Sequence, residues 1–227
     1  MKNEAVLVMQ EKTVIQHIFF DFDGTLVDTR EGIIKAMHYA FEQDGRERAS
    51  DDEVRKLIGP PLNEMFEALW QTKDDETISR GVKLFREYYA EHGVDECCLY
   101  DGVPNMLRCL SAAGIKLYIV SSKPAVFIEK IAVRYDIKKY FTAMTAVGLQ
   151  VKDLSKAERM GLLMKERNIL PEEVVMVGDR PEDILAAKAN SVRAVGVTYG
   201  FGTKDELIKA GCWKLVDELI EMEQLLL

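Results

Sequence analysis

Four cysteines, three histidines and six prolines are a small stock for 227 residues. Cys97, Cys98, Cys109 and Cys212 fall at no zinc-binding spacing, and neither do His17, His38 and His92, so a soft-metal centre is not expected. Adjacent Cys97 and Cys98 could join only as a strained vicinal disulfide, so free thiols in a reducing cytoplasm are the expectation. Long apolar runs are missing too. None approaches the roughly 20 residues that span a bilayer, and Val6-Leu7-Val8-Met9 is too short for the core of a signal peptide. A cytoplasmic protein with no membrane partner is expected. Excess positive charge is also lacking: the net charge is -8 and the pI about 5.1. That leaves no broad basic field for a nucleic-acid polymer or an anionic membrane, although a local site can still take a small anion. No internal repeat and no low-complexity segment occurs.

What is present is an ordinary globular composition, 48% hydrophobic, with length enough for one large domain or a core with an insert. One stretch stands apart. His17-Ile18-Phe19-Phe20 is an apolar run that ends in Asp21 and Asp23, followed by Gly24-Thr25. Burying two carboxylates without partners is unfavourable, and like charges this close repel. A cation and a chemical task are therefore expected at this strand tip.

The chain then reads in order. Ile15 to Phe20 is a buried strand, and Arg30 to Gln43 is a helix ended by Asp44-Gly45. From Ser50 to about His92 the pattern stays helical, with a capping-box spacing at Ser50 and Glu53, a break at Gly59-Pro60-Pro61, and helices over Leu62 to Trp70 and Asp74 to Glu91. After Asp101-Gly102-Val103-Pro104 the character changes. A helix ends near Gly114, and Ile115 to Val120 is a strand stopping at Ser121-Ser122-Lys123-Pro124. Helices follow over Ala125 to Tyr135, Ser155 to Asn168, Pro181 to Ala189 and Lys204 to Ala210. They alternate with strands over Phe141 to Val147, Val174 to Val177 and Ala194 to Val197, and Trp213 to Val216 is a possible last strand before a terminal helix. Alternation of this kind implies parallel βαβ units, hence an α/β fold with a doubly wound parallel sheet. Residues 1–28 plus 99–227 form its core, and the helical block 29–98 is inserted after the first strand. Residues 1–14 are expected to be a disordered lead or an extra edge strand.

Polar residues collect at the strand ends. The first strand delivers Asp21 and Asp23, the next Ser121, Ser122 and Lys123, and a later one Asp179 with Asp183 four residues on. In open parallel sheets the ligand crevice lies beyond these carboxyl ends. The helix starting near Ser155 begins on the same side and brings Lys156. Clustered carboxylates suit Mg2+, and Ser, Lys and helix N-termini suit phosphate oxygens. One carboxylate can attack phosphorus while another handles protons.

Asp21-Phe22-Asp23-Gly24-Thr25-Leu26-Val27-Asp28, the strand ending in Ser121, Lys156, and Gly178-Asp179-Arg180-Pro181-Glu182-Asp183 resemble, in order, the four motifs of the haloacid dehalogenase superfamily. As a set they are specific, and they cover the core from about residue 15 to 200. The position of the insert resembles the helical cap of the superfamily's first subclass, and Gly59-Pro60-Pro61-Leu62, Tyr100-Asp101-Gly102-Val103-Pro104, Ser122-Lys123-Pro124 and Tyr199-Gly200-Phe201-Gly202 make the chain similar to the phosphoglycolate phosphatase-like branch.

The resemblance implies a Rossmann-like core, with Asp21 as nucleophile and metal ligand. Asp23 would be the acid/base, meeting the metal through its backbone carbonyl. Ser121 and Lys156 would hold phosphoryl oxygens, Asp179 would be a metal ligand, and Asp183 would support it. Gly24, Thr25, Ser122 and Lys123 are further candidates for the substrate-binding loops, Thr25 bracing the loop beside the cap hinge. The segment Val147 to Leu154 departs from the Gly/Ser-rich loop of the branch, which leaves Lys152 as a second candidate for the motif lysine. Lys156 is preferred because it opens a long helix.

Lys123 is nearly as well read as a surface lysine, Arg180 as a structural ion-pair partner, and Asp183 as a charge favouring its helix dipole. Arg55 and the Gly59–Pro61 loop are equally well read as pocket lining or as a plain helix and its stop. Phe66, Trp70, Phe85, Tyr88 and Tyr89 are most simply cap core, with one or two left to face a substrate. The implied activity is Mg2+-dependent hydrolysis of a small phosphorylated metabolite, phosphoglycolate first. A 5′-nucleotide, a sugar phosphate and pyrophosphate come close behind. A phosphomutase, a dehalogenase and a non-catalytic phospho-ligand binder are the other readings. A monomer or weak homodimer is the expected state.

Overall fold

The computed structural model describes residues 15–147 and 154–226. Its organising element is β1, His17–Phe20. Successive side chains of a strand point to opposite faces. Ile18 and Phe20 accordingly enter one core and Phe19 the other, all three wholly buried. Each such side chain contributes about 1.5–3 kcal/mol of hydrophobic stabilisation.

A helical block follows: α1 (Arg30–Gln43), α2 (Asp51–Lys56), α3 (Leu62–Trp70), α4 (Asp75–Tyr88) and a π turn at Tyr89–Gly93. Ser50 and Glu53 cap α2 reciprocally, and Asp74 caps α4 through the Thr77 N–H. The inner faces are apolar at helical spacing. Ile33, Met37, Ala40 and Phe41 of α1 pack with Met65, Phe66 and Trp70 of α3 and with Ile78, Val82 and Phe85 of α4. Trp70 takes Phe41 and Phe66 edge-on.

The remainder alternates strand and helix: α5 (Val103–Ala112), β4 (Lys116–Pro124), α6 (Ala125–Arg134), β5 (Phe141–Val147), α7 (Lys156–Arg167), β6 (Val174–Gly178), α8 (Pro181–Ala189), β7 (Arg193–Val197), α9 (Lys204–Ala210), β8 (Lys214–Val216) and α10 (Leu219–Leu226). β2 (Val27–Asp28) and β3 (Cys98–Leu99) form a separate antiparallel ribbon where the chain enters and leaves the helical block. The main sheet runs β5-β4-β1-β6-β7-β8, parallel throughout. Helices pack on both faces, with α5, α6 and α10 against the Ile18 side and α7, α8 and α9 against the Phe19 side. The chain runs outward from β1 to β4 and β5, then returns to the other side of β1 as β6, so the topology switches between β1 and β6. Ligand crevices of such sheets open beyond this point.

The α/β, doubly wound reading therefore holds, with three corrections of detail. β4 does not stop at Val120. Its backbone stays extended through Ser121-Ser122-Lys123, with a register shift against β5 before Pro124 pairs Val147. The helix expected to reach Glu91 ends at Tyr88 and passes into the π turn. The β2–β3 ribbon was not expected, since two residues per strand carry no periodic signal. The expected lead over residues 1–14 lies outside the described residues, as does Lys152. Cys97, Cys98, Cys109 and Cys212 are all free thiols. Among the described residues no helix is long and apolar enough to cross a membrane.

Candidate active site

Three neighbouring strands and the helices after them set out the polar groups. Asp21 follows β1 directly, and its N–H donates to the Val177 carbonyl at 2.9 Å, tying the tip of β1 to β6. The chain then doubles back. The Leu26 N–H donates to Phe22 O at 3.0 Å, the Gly24 N–H to Val27 O at 2.8 Å, and Gly24 takes φ +80°, where a side chain is strained. This tight loop aims Asp21 and Asp23 into one cavity. Ser155 and Glu158 form a capping box that fixes the start of α7, so Lys156 occupies its first turn, pointing into the same cavity. β6 ends at Gly178, and Asp179 follows it fully buried. Asp183, in the first turn of α8, accepts the Arg180 N–H at 2.9 Å.

The carboxylates meet. Asp21, Asp179 and Asp183 each present an oxygen within 4.8 Å of the others, and all three are buried. One ammonium serves them: Lys156 Nζ lies 2.5 Å from Asp183 Oδ1 and 3.1 Å from Asp21 Oδ1. The second of these is an ion pair without hydrogen-bond alignment, since Asp21 Oδ1 is buried with no hydrogen-bond partner among the described residues. Burial works against the Lys156 charge, but Asp183 and Asp21 beside it hold its pKa above the usual lysine value. The acids fare the other way. Burial, then the charges of Asp183 and Asp21, push the Asp179 carboxyl well up, against hydrogen bonds from Phe201 and Thr25. Burial pushes Asp183 up to about 6 despite the Lys156 contact. One cation is too little for three buried carboxylates, and a second positive charge between them would relieve the strain. An all-oxygen, three-carboxylate set with an orphaned Asp21 oxygen fits a hard divalent cation.

Asp179 is packed as well as bonded. It accepts from the Thr25 hydroxyl at 2.9 Å and from the Phe201 N–H at 2.8 Å. A Cβ on Gly24 would lie 2.2 Å from Asp179 Oδ2, and one on Gly200 would lie 2.3 Å from Asp179 Cβ and 2.4 Å from the Gly24 carbonyl. Only hydrogen at both positions leaves room for the carboxylate. Thr25 is itself wholly buried, and its carbonyl accepts the Tyr199 hydroxyl at 3.0 Å. Gly24 and Thr25 are not among the residues that line the cavity; both support Asp179.

Asp23 stands outside the carboxylate cluster. Lys123 Nζ holds its two oxygens at 2.9 and 3.1 Å and donates to the Tyr89 hydroxyl at 2.6 Å. Tyr89 comes from the π turn of the helical block, and π turns of this kind recur at functional sites. The reading of Lys123 as a surface lysine is thereby corrected: its side chain is 4% exposed. Burial opposes its charge, while Asp23 and Tyr89 keep its pKa high. Burial also pushes the Tyr89 phenol up to about 12, leaving it protonated.

Ser121 is buried at the cavity wall, where its Oγ accepts the Lys123 N–H at 3.3 Å. Ser122 also lines the cavity and accepts from Arg159 at 3.3 Å. The Gly59–Pro61 loop lines it too, whereas Arg55 does not: it is exposed and pairs with Asp52 at 2.7 Å. Of the five aromatics in question, Phe85 and Tyr89 face the cavity, and Phe66, Trp70 and Tyr88 do not. Arg180 is buried, with Glu182 3.8 Å from its Nε. Several cavity residues went unread in the sequence, Phe201 and Arg86 among them. Phe201 lies in a recognised motif but had no assigned task, and Arg86 sits in the last turn of α4, where a basic residue is ordinary.

The description "haloacid dehalogenase-like hydrolase" matches residues 18–197, and the chain belongs to that family. It is 35% identical over 191 residues to a protein named 5′-nucleotidase from Pseudomonas aeruginosa, across 84% of this chain and 86% of that one. It is 30% identical over 222 residues to a phosphoglycolate phosphatase from Colwellia psychrerythraea, across 93% and 97%. The crystal structure of a predicted phosphatase from Clostridium acetobutylicum superposes with a TM-score of 0.88 at 32% identity, covering 93% of this chain and 97% of that one.

Proposed function

We propose that the protein is a Mg2+-dependent phosphatase that hydrolyses a small phosphomonoester through an aspartyl-phosphate. The observation that carries the reading is the setting of Asp21: a buried carboxylate on the floor of a cavity, 3.1 Å from Lys156, with Ser121 and Asp23 lining the same space. Asp21, Asp179 and Asp183 would hold Mg2+, with the Asp23 backbone carbonyl as a further ligand. When bound, the ion supplies positive charge for the phosphoryl oxygens.

The residues of the chain do the rest. Ser121 and the Lys156 ammonium hold phosphoryl oxygens and orient phosphorus toward Asp21. An Asp21 oxygen bonds to phosphorus as the ester P–O bond breaks, and Asp23 gives its proton to the leaving alkoxide. Asp23, now a carboxylate, takes a proton from water as that water attacks the acyl phosphate. Inorganic phosphate leaves, and both carboxyl groups return to their starting states. Lys123 positions Asp23 through both steps. The helical block 29–98 acts as a cap on the core, excluding bulk water and choosing the leaving group. The β2–β3 ribbon is its hinge, and the Tyr89–Lys123 bond is a latch between the two parts. Phosphoglycolate is the branch-level expectation for the substrate.

Asp21→Asn tests the mechanism. Turnover of phosphomonoesters with Mg2+ should fall by about 10^4-fold or more while the thermal transition stays cooperative, and chelating the metal should silence the unmodified protein. Full activity in Asp21→Asn would remove the mechanism.

A further inference from the structure

Among the described residues, every cation bordering the cavity has a partner except one. Lys123 is matched by Asp23 and Tyr89, and Lys156 by Asp21 and Asp183. Arg86 of α4 lines the same cavity from the helical side, and its Nε is buried with no hydrogen-bond partner. No carboxylate among the described residues pairs with it. A place in the last turn of α4 would suit a cation for the helix dipole, but a side chain lying in water would serve that purpose equally well. Arg86 is instead half-buried, with its Nε closed off from water, beside a cavity that Ile58, Met65, Phe85 and Phe127 also line. A guanidinium cannot discharge itself by losing a proton. With its Nε buried and unpaired it is unfavourable, and among the described residues the cavity wall beside it offers no counter-charge.

We propose that Arg86 receives a second anionic group of the substrate, a carboxylate or phosphoryl group carried by the leaving group, while Ser121 and Lys156 hold the phosphoryl group that is transferred. The inference rests on the phosphatase reading above and adds the class of leaving group to it. A planar guanidinium suits either anion through two parallel hydrogen bonds. Arg86 would thus be a specificity residue. A site built to meet an anion rejects a neutral isostere strongly, because the guanidinium is then left unpaired.

The test compares two matched pairs of substrates on the full chain with Mg2+: 2-phosphoglycolate against phosphoglycolamide, and ethylene glycol bisphosphate against 2-hydroxyethyl phosphate. The readout is the ratio of kcat/KM, anionic over neutral, within each pair. In the unmodified protein at least one ratio should be about tenfold or more. In Arg86→Gln that ratio should fall to within about threefold of one, and Arg86→Lys, which keeps the charge, should retain part of the preference. Ratios near one in the unmodified protein would overturn the proposal, as would a preference that survives Arg86→Gln, and phosphate release from all four substrates would leave the phosphatase reading standing. If Arg86→Gln does not fold, the unmodified ratios together with Arg86→Lys still decide. Failure to release phosphate from any of the four, and from p-nitrophenyl phosphate as well, would instead overturn the phosphatase reading and the Arg86 proposal with it.

Discussion

The floor and the roof of the cavity are built on opposite plans. The floor, from the ends of β1, β4 and β6, is crowded with charge and tightly held: Asp179 alone has two hydrogen-bond donors and three glycines packed against it. The roof, from α1, α3 and α4, is apolar apart from Arg86 and the Tyr89 hydroxyl. A floor of this kind tolerates little change, because each group sets the charge or position of another. A roof packed from Ile, Met and Phe can be altered by volume without disturbing the chemistry. The division suits a protein whose reaction is constant and whose substrate choice is adjustable.

After the loss expected of Asp21→Asn, the next largest effect should come from crowding the floor. Gly200→Ala places a Cβ against both Asp179 and the Gly24 backbone, which cannot both retreat. A stability loss of about 1–3 kcal/mol is expected from the overpacking, and displacement of Asp179 should lower kcat by about 10^2-fold. Thermal melts and steady-state kinetics would measure both. Near-normal kcat would mean that the floor is less constrained than the distances imply. A smaller effect is expected where roof meets floor. Tyr89→Phe removes one of two partners from buried Lys123 and slackens its hold on Asp23. The expected loss is about 1–2 kcal/mol of stability and about tenfold in kcat. A change confined to KM would show that the roof acts on binding alone.

Most of the floor could be read from the sequence, because each element of it is local. An apolar run ending in Asp21 and Asp23, a strand ending in Gly178-Asp179, and Ser155 capping the helix that carries Lys156 are all contiguous signals. The helices at Arg30–Gln43, Leu62–Trp70 and Pro181–Ala189 were legible for the same reason, through apolar spacing and a clear stop. What escaped was long-range. Lys123 looks like a surface lysine because Asp23 lies 100 positions away and Tyr89 lies 34. Ser121-Ser122-Lys123 reads as a strand stop by composition, while pairing of Pro124 with Val147 keeps the backbone extended. Arg86 carries an ordinary helix-end signature, and only packing reveals that its Nε is buried at the cavity. The resemblance of the motifs to one family placed the chemistry at the floor, but nothing local could say what the roof does.

The proposed chemistry turns on a carboxylate oxygen of Asp21 carrying phosphorus. Mixing the protein with substrate and Mg2+, quenching in acid within milliseconds and mapping the added mass by peptide analysis tests this directly. The predicted result is one phosphoryl group on the peptide containing Asp21, accumulating further in Asp23→Asn with p-nitrophenyl phosphate, whose leaving group needs no acid while hydrolysis of the intermediate lacks its base. Turnover that proceeds with Asp21 unmodified at every time point, or a phosphoryl group mapped to another residue, would contradict it.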